Sequence, residues 1–254
     1  QYEPTFVQPW SKSRAINLVI KKLTNGFCFV ADVDMIFHPS FVQKAALVQK
    51  AGTTTNFQVG VLEKEETDNG NAFYDFKKYR QSTYEATGMS MFPVNCLKEI
   101  RGFDEFYHFW GAEDTDIHVR LRNAGYIVEF YDSETLLLHQ WHKSYRSKEV
   151  ETLTSDYQIK GIVQLNHFHL KFAKENNIRK VNHKGWGKVT REKDIKELIE
   201  LPTTLSLTNR KEEINDFLYG QLPGCYNKTI KIRIVKDAFE GSVKYRIKKI
   251  LRHR

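Results

Sequence analysis

The 254-residue sequence predicts an α/β fold: an open mixed sheet flanked by helices, followed by a mostly helical C-terminal appendage. Helix-period and strand-period segments alternate between residues 14 and 138. Within them, the apolar run Phe27-Cys28-Phe29-Val30-Ala31 ends in Asp32-Val33-Asp34. In open α/β sheets ligands sit beyond the carboxyl ends of the strands, which is where this acidic pair falls. With 41% hydrophobic and 13% aromatic residues the chain can bury a sizeable core. No apolar run approaches the roughly 18 residues a membrane span requires.

The elements follow in order. Ile16, Val19, Ile20 and Leu23 are spaced as one helix face over residues 14–24, and Asn25-Gly26 ends it. The run at 27–31 has the continuous apolarity of a strand buried on both faces. Residues 41–50 read as a helix and 53–62 as β-rich. Residues 63–72 are polar and predict a mobile loop. A strand at 87–93 precedes a short helix at 95–100 and a turn at Arg101–Glu105. A helix over Glu113–Asn123 ends at Ala124-Gly125, with Gly125 suited to the left-handed position after the helix. Strands follow at 126–131 and 135–138, then helices near 150–177, 191–200 and 209–219. The predicted division is 1–177 and 178–254.

Charge narrows the function classes. Residues 1–180 hold 22 basic and 22 acidic side chains, whereas residues 228–254 hold 10 and 2, so this tail carries the whole net charge of +8. A neutral body argues against specific nucleic-acid binding and against a nuclease, which needs a basic face near its carboxylates. The tail predicts attachment to an anionic membrane surface. Val243, Ile247, Ile250 and Leu251 share one helix face, and Lys or Arg crowd the rest. A docked amphipathic helix with a solvated basic face is the alternative. The three cysteines are widely spaced and form no disulfide framework, so a reducing, cytoplasmic setting is expected.

Three clusters could carry chemistry. Asp32-Val33-Asp34 offers two hard oxygen donors suited to Mg²⁺ or Mn²⁺, or is a solvated turn. In Trp110-Gly111-Ala112-Glu113-Asp114-Thr115-Asp116, the carboxylates either complement a helix N-terminus or accept hydrogen bonds from a sugar stacked on Trp110. His139-Gln140-Trp141-His142 follows an apolar strand, and the two imidazoles are core histidines or metal ligands. No G-x-G-x-x-G, Walker A or G-x-S-x-G sequence occurs.

In order and spacing these motifs resemble the glycosyltransferases of the Rossmann-like GT-A fold, notably the β-1,4-galactosyltransferases and bacterial family 2 enzymes of the chondroitin-polymerase type. The resemblance spans roughly residues 11–145. Arg14 and Asn17 match the family's Arg-x-x-Asn helix, Asp32-Val33-Asp34 its Asp-Val-Asp, and Gly102-Phe103-Asp104 its Gly-Phe-Asp turn. Trp110–Asp114 matches Trp-Gly-Gly-Glu-Asp with Ala112 in place of the second Gly, and His139 falls where a metal-binding His follows.

The resemblance implies an inverting, metal-dependent transferase that moves a galactose-type or N-acetylhexosamine-type sugar from a UDP-sugar to a glycan or lipid-linked glycan, in bacterial surface polysaccharide synthesis. It implies Asp114 as general base, and Trp110, Gly111, Glu113 and Asp116 around the acceptor. Arg14, Asn17 and Asp32 would face the donor. Asp34 with His139 or His142 would hold Mn²⁺ or Mg²⁺, His139 being preferred. These families also place a uridine-holding strand–helix–strand portion before the Arg-x-x-Asn helix, so the expectation is a chain that begins inside a longer fold. A non-catalytic carbohydrate- or partner-binding module lacking that portion is the rival reading.

Overall fold

The computed structural model describes residues 10–70, 72–143, 162–182, 185–189, 191–225 and 228–244. The chain forms two compact units, 1–189 and 190–254. The division falls later than the sequence suggested, because Asn182, Trp186 and Gly187 pack back on the first unit. Trp186 joins its core, and the Gly187 amide donates to Glu105 Oε1 at 2.6 Å.

The first unit is mixed α/β, with open mixed sheets and flanking helices. One sheet has the order β1 (Phe27–Val30), β6 (Ser90–Pro93), β3 (Thr53–Phe57), β7 (Ile127–Tyr131). The second has β2 (Met35–Phe37), β8 (Leu137–His139), β4 (Val59–Val61), β5 (Arg80–Gln81). Both are mixed: β3 pairs in parallel with β7 and β4 with β8, while β6 is antiparallel to β1 and β3. The chain passes from the first sheet to the second three times, at β1–β2, β3–β4 and β7–β8. Asp32-Val33-Asp34 is the first of these crossings.

Helix α1 (Lys12–Ile20) starts at Ser11, whose Oγ accepts from the Arg14 amide at 3.3 Å and donates to the Tyr107 carbonyl at 2.8 Å. α1, α4 (Val94–Glu99) and α5 (Glu113–Asn123) cover one side of the first sheet around Ile20, Phe92, Leu97, Phe103, Ile117 and Leu121. α2 (Phe41–Leu47) covers the other around Phe41, Phe57, Met91 and Leu137. Strand β1 packs on both sides but is only half-buried up to Phe29, because it is a sheet edge rather than an interior strand. The predicted loop at 63–72 contains a helix, α3 (Lys64–Asn69), stapled by a Lys64–Asp68 pair one turn apart. Gly125 adopts the expected left-handed conformation, φ +90°.

Of the helix expected near 150–177, Ile162–Glu175 is observed as α6; the rest lies outside the described residues. Among its described residues the second unit is mainly helical, as expected, but it also contains strands. Beside α7 (Glu192–Glu200) and α8 (Lys211–Asn215) it carries a parallel pair, β9 (Leu205–Thr208) and β10 (Ile232–Val235). Leu205/Leu207 and Ile232/Ile234 alternate with polar residues, a period of two hidden among the surrounding charges. The basic tail helix expected over 243–251 lies, beyond Lys244, outside the described residues. Among the described residues no helix is long and apolar enough to cross a membrane, and Cys28, Cys96 and Cys225 are free thiols.

Candidate functional site

The sheet crossing assembles the first half of the site. In the β2–β8 pair Met35 is opposite His139. The chain leaving β8 therefore runs alongside Asp34, and the Gln140 amide donates to the Asp34 carbonyl at 3.1 Å. Asp34 Oδ2 then lies 3.0 Å from His142 Nε2 and 3.5 Å from His139 Nε2, and the two rings are 5.1 Å apart. One ligand atom from each of these three residues falls within 4.8 Å of the others. Asp34 Oδ1 is buried without a hydrogen-bond partner. A carboxylate with an unmatched oxygen facing two imidazoles fits a divalent cation, since it supplies a mixed O/N donor set. The preference for His139 over His142 finds no support in the geometry, which groups both with Asp34.

The second half is the N-terminus of α5. Phe109, Gly111 and Ala112 have φ of +61°, +103° and +75°, so the loop before the helix is wound into left-handed conformations. Asn166 on α6 clamps it, with Nδ2 donating to the His108 and Trp110 carbonyls at 3.0 Å each. Glu113 and Asp114 follow in the first turn, where the helix dipole favours carboxylates.

Lys12 of α1 joins the halves. Its Nζ is 2.8 Å from Asp32 Oδ1 and 3.0 Å from Asp114 Oδ2, with only 17% of the side chain exposed. Burial, opposed by Lys12 and reinforced by Glu113 and Asp32, pushes the Asp114 carboxyl up to about 7.

Two cavities meet at this carboxylate. The larger, about 740 Å³, is lined by Lys12, Asp32, Asp34, His139 and His142, with Trp10 at its rim. The smaller, about 290 Å³, is lined by Glu85, Thr87, Gly88, Gly111, Thr115 and His167. Trp110, Glu113 and Asp114 line both. Trp110 is 40% exposed.

Three expected site residues stand elsewhere. Asn17 is fully buried. Its Oδ1 accepts from the Phe103 amide at 2.9 Å, and its Nδ2 donates to the Phe103 carbonyl at 2.8 Å and to Glu105 Oε1 at 3.0 Å. It holds the Gly102-Phe103-Asp104 turn and lines neither cavity. Arg14 also lines neither cavity and lies 3.7 Å from Glu105 Oε2. Asp116 is fully buried against Arg120 Nε at 2.6 Å and lines neither cavity. Two residues on from Asp114, it is turned about 200° around the helix. Lys12, Gly88 and Glu85 were missed. Only Lys12 left a local sign: a lysine in the first turn of a helix opposes the dipole and implies a tertiary partner.

Residues 69–144 match the family model described as the N-terminal domain of galactosyltransferase. The chain is accordingly a glycosyltransferase. Such a domain implies a sugar-nucleotide donor and a glycan acceptor. The matched segment contains Trp110–Asp116, His139 and His142, while Asp32-Val33-Asp34 precedes it. No curated protein matches the chain.

Proposed function

We propose that the protein is an inverting, metal-dependent transferase of the GT-A type. It moves a hexose or N-acetylhexosamine from a UDP-sugar to a hydroxyl of a glycan or lipid-linked glycan, in bacterial surface polysaccharide synthesis. The observation that carries this reading is that the Asp114 carboxylate lines both cavities. A single group thus faces a donor-sized space on one side and an acceptor-sized space on the other.

In this reading the larger cavity takes the nucleotide-sugar and the smaller the acceptor. Asp114 accepts the proton of the acceptor hydroxyl as its oxygen forms the new bond to the anomeric carbon. The bond to the diphosphate oxygen breaks on the opposite face, which inverts the configuration. A carboxyl whose pKa lies near neutrality suits that transfer. Trp110 offers a ring face and Glu113 a hydrogen-bond acceptor, which fix the sugar and lower the entropic cost of alignment. Asp32 contacts the donor from the same crossing loop. Asp34, His139 and His142 are the residues that would hold Mn²⁺ or Mg²⁺, and such an ion supplies neutralisation of the leaving diphosphate.

The test is nucleotide release from a panel of UDP-sugars, with and without Mn²⁺ and with simple glycosides as acceptors, for wild type and Asp114→Asn. Acceptor-dependent release that Asp114→Asn loses supports the reading. Sugar binding without release from any donor would sink it in favour of a carbohydrate-binding module.

We further infer that the protein works at the cytoplasmic membrane surface, held by its tail. The support is the concentration of charge in residues 228–254, each basic residue near anionic lipid contributing ~1 kcal/mol. Equal co-sedimentation with anionic liposomes with and without residues 228–254 would overturn this.

A further inference from the structure

We propose that Lys12 is the positioning residue of Asp114, holding it ionised and fixing one of its oxygens so that the other meets the acceptor. The inference rests on Asp114 being the base. Lys12 Nζ bridges Asp114 Oδ2 at 3.0 Å and Asp32 Oδ1 at 2.8 Å. Among the described residues lining either cavity it is the one Lys or Arg.

Apart from Lys12 and the α5 N-terminus, burial and the neighbouring carboxylates favour the protonated form of Asp114. Asp32 lies on the crossing loop and Glu113 is its neighbour on α5. Glu85 and His167 line the smaller cavity, and Asp34, His139 and His142 line the larger. A diphosphate entering the larger cavity would add more negative charge. The ammonium is thus the described cation that counters this field, and an opposite charge within ~4–6 Å typically lowers a carboxyl pKa by ~1–3 units. Its own place is costly. It sits in the first turn of α1, against the dipole, and burial works against its charge; Asp114 first and Asp32 next outweigh that and raise its pKa. A lysine kept charged there by two site carboxylates does little for α1 itself. It ties the donor-side loop to the base. Because Oδ2 is engaged by Lys12, the proton from the acceptor hydroxyl goes to Oδ1.

The experiment titrates the aspartate side-chain carboxyl carbons by carbon-13 NMR in wild type, Lys12→Met, Lys12→Gln and Lys12→Arg. Asp114→Asn identifies the Asp114 resonance. Removing the charge, in Met or Gln, is expected to raise the Asp114 midpoint by about one pH unit or more. Lys12→Arg is expected to restore most of the shift. In turnover, Lys12→Met lowers kcat at neutral pH by about tenfold with little change in acceptor KM. Activity returns about two pH units higher, where the base is ionised again. An unmoved Asp114 midpoint in both Lys12→Met and Lys12→Gln overturns the proposal. So does a loss seen only as weaker UDP binding, which would make Lys12 a donor ligand. If the midpoint shifts but wild type transfers no sugar, it is the function of Asp114 that falls, and the proposal with it.

Discussion

Gly88 is packed against Asp114: a Cβ on Gly88 would lie 3.3 Å from Asp114 Oδ2 and 3.8 Å from Asp32 Oδ2. The segment leading into β6 thus passes Asp114 so closely that a side chain would push its carboxylate by a few tenths of an ångström. Gly88 has no left-handed backbone requirement, so a larger residue acts through contact alone. Gly88→Val is expected to leave the melting temperature nearly unchanged and to lower kcat by about tenfold or more, since small misplacements of a reacting group are costly. Wild-type turnover in a folded Gly88→Val protein would contradict this.

Asp114 and Asp116 are expected to fail differently when replaced. Asp114→Asn keeps the fold and loses ~10²–10⁴-fold in transfer, the usual contribution of a general base. Asp116→Ala leaves the fully buried Arg120 without its ion-pair partner and is expected to cost roughly 3 kcal/mol or more in stability. Chemical denaturation combined with turnover separates the two. A stable, inactive Asp116→Ala would make Asp116 the catalytic carboxylate.

Much of the fold was legible because it is local. The α5 boundaries follow from acidic residues in its first turn and Ala124-Gly125 at its end. The second sheet was not legible as a separate layer, since its strands are two or three residues long and Gln58 alone separates β3 from β4. The site carboxylates were recognisable as motifs, but their grouping is a matter of register. Met35 opposite His139 is what brings both imidazoles to Asp34. The Asn17 contact was not legible because its partner, Phe103, is 86 residues away, and a motif cannot show whether an amide faces a ligand or a backbone turn. That Asp116 points away from Asp114 could be read from spacing alone, as residues i and i+2 do not share a helix face.

Asp34, His139 and His142 are expected to act as one metal-binding set. Asp34→Ala should abolish Mn²⁺ binding and Mn²⁺-dependent UDP binding. His139→Ala and His142→Ala should each weaken Mn²⁺ by more than about tenfold, since even groups behind a metal's ligands cost ~10–100-fold. Titration calorimetry with Mn²⁺ alone reads this without requiring turnover. Unchanged affinity in Asp34→Ala would rule out the site, and unchanged affinity in one histidine variant would assign the role to the other.

His118 is expected to set part of the acid sensitivity of the fold. Its ring is buried on α5, with Nε2 2.9 Å from Ser90 Oγ and Nδ1 without a hydrogen-bond partner. Burial first, and the Arg122 charge second, lower its pKa from 6.5 to about 3. The unfolded chain therefore takes up a proton at a pH where the native ring refuses it. The stability held by the neutral ring is complete above about 6.5 and is lost as pH falls from there toward 3, at up to ~1.4 kcal/mol per unit. His118→Gln keeps a hydrogen-bonding group beside Ser90 but does not titrate. Urea unfolding at a series of pH values from neutral to about 4 should show a shallower loss in His118→Gln than in wild type, by at least about 1 kcal/mol at the acid end. The carboxylates titrate alike in both proteins, so the difference isolates the imidazole. Parallel curves for the two proteins would mean that the buried ring accepts its proton as readily folded as unfolded.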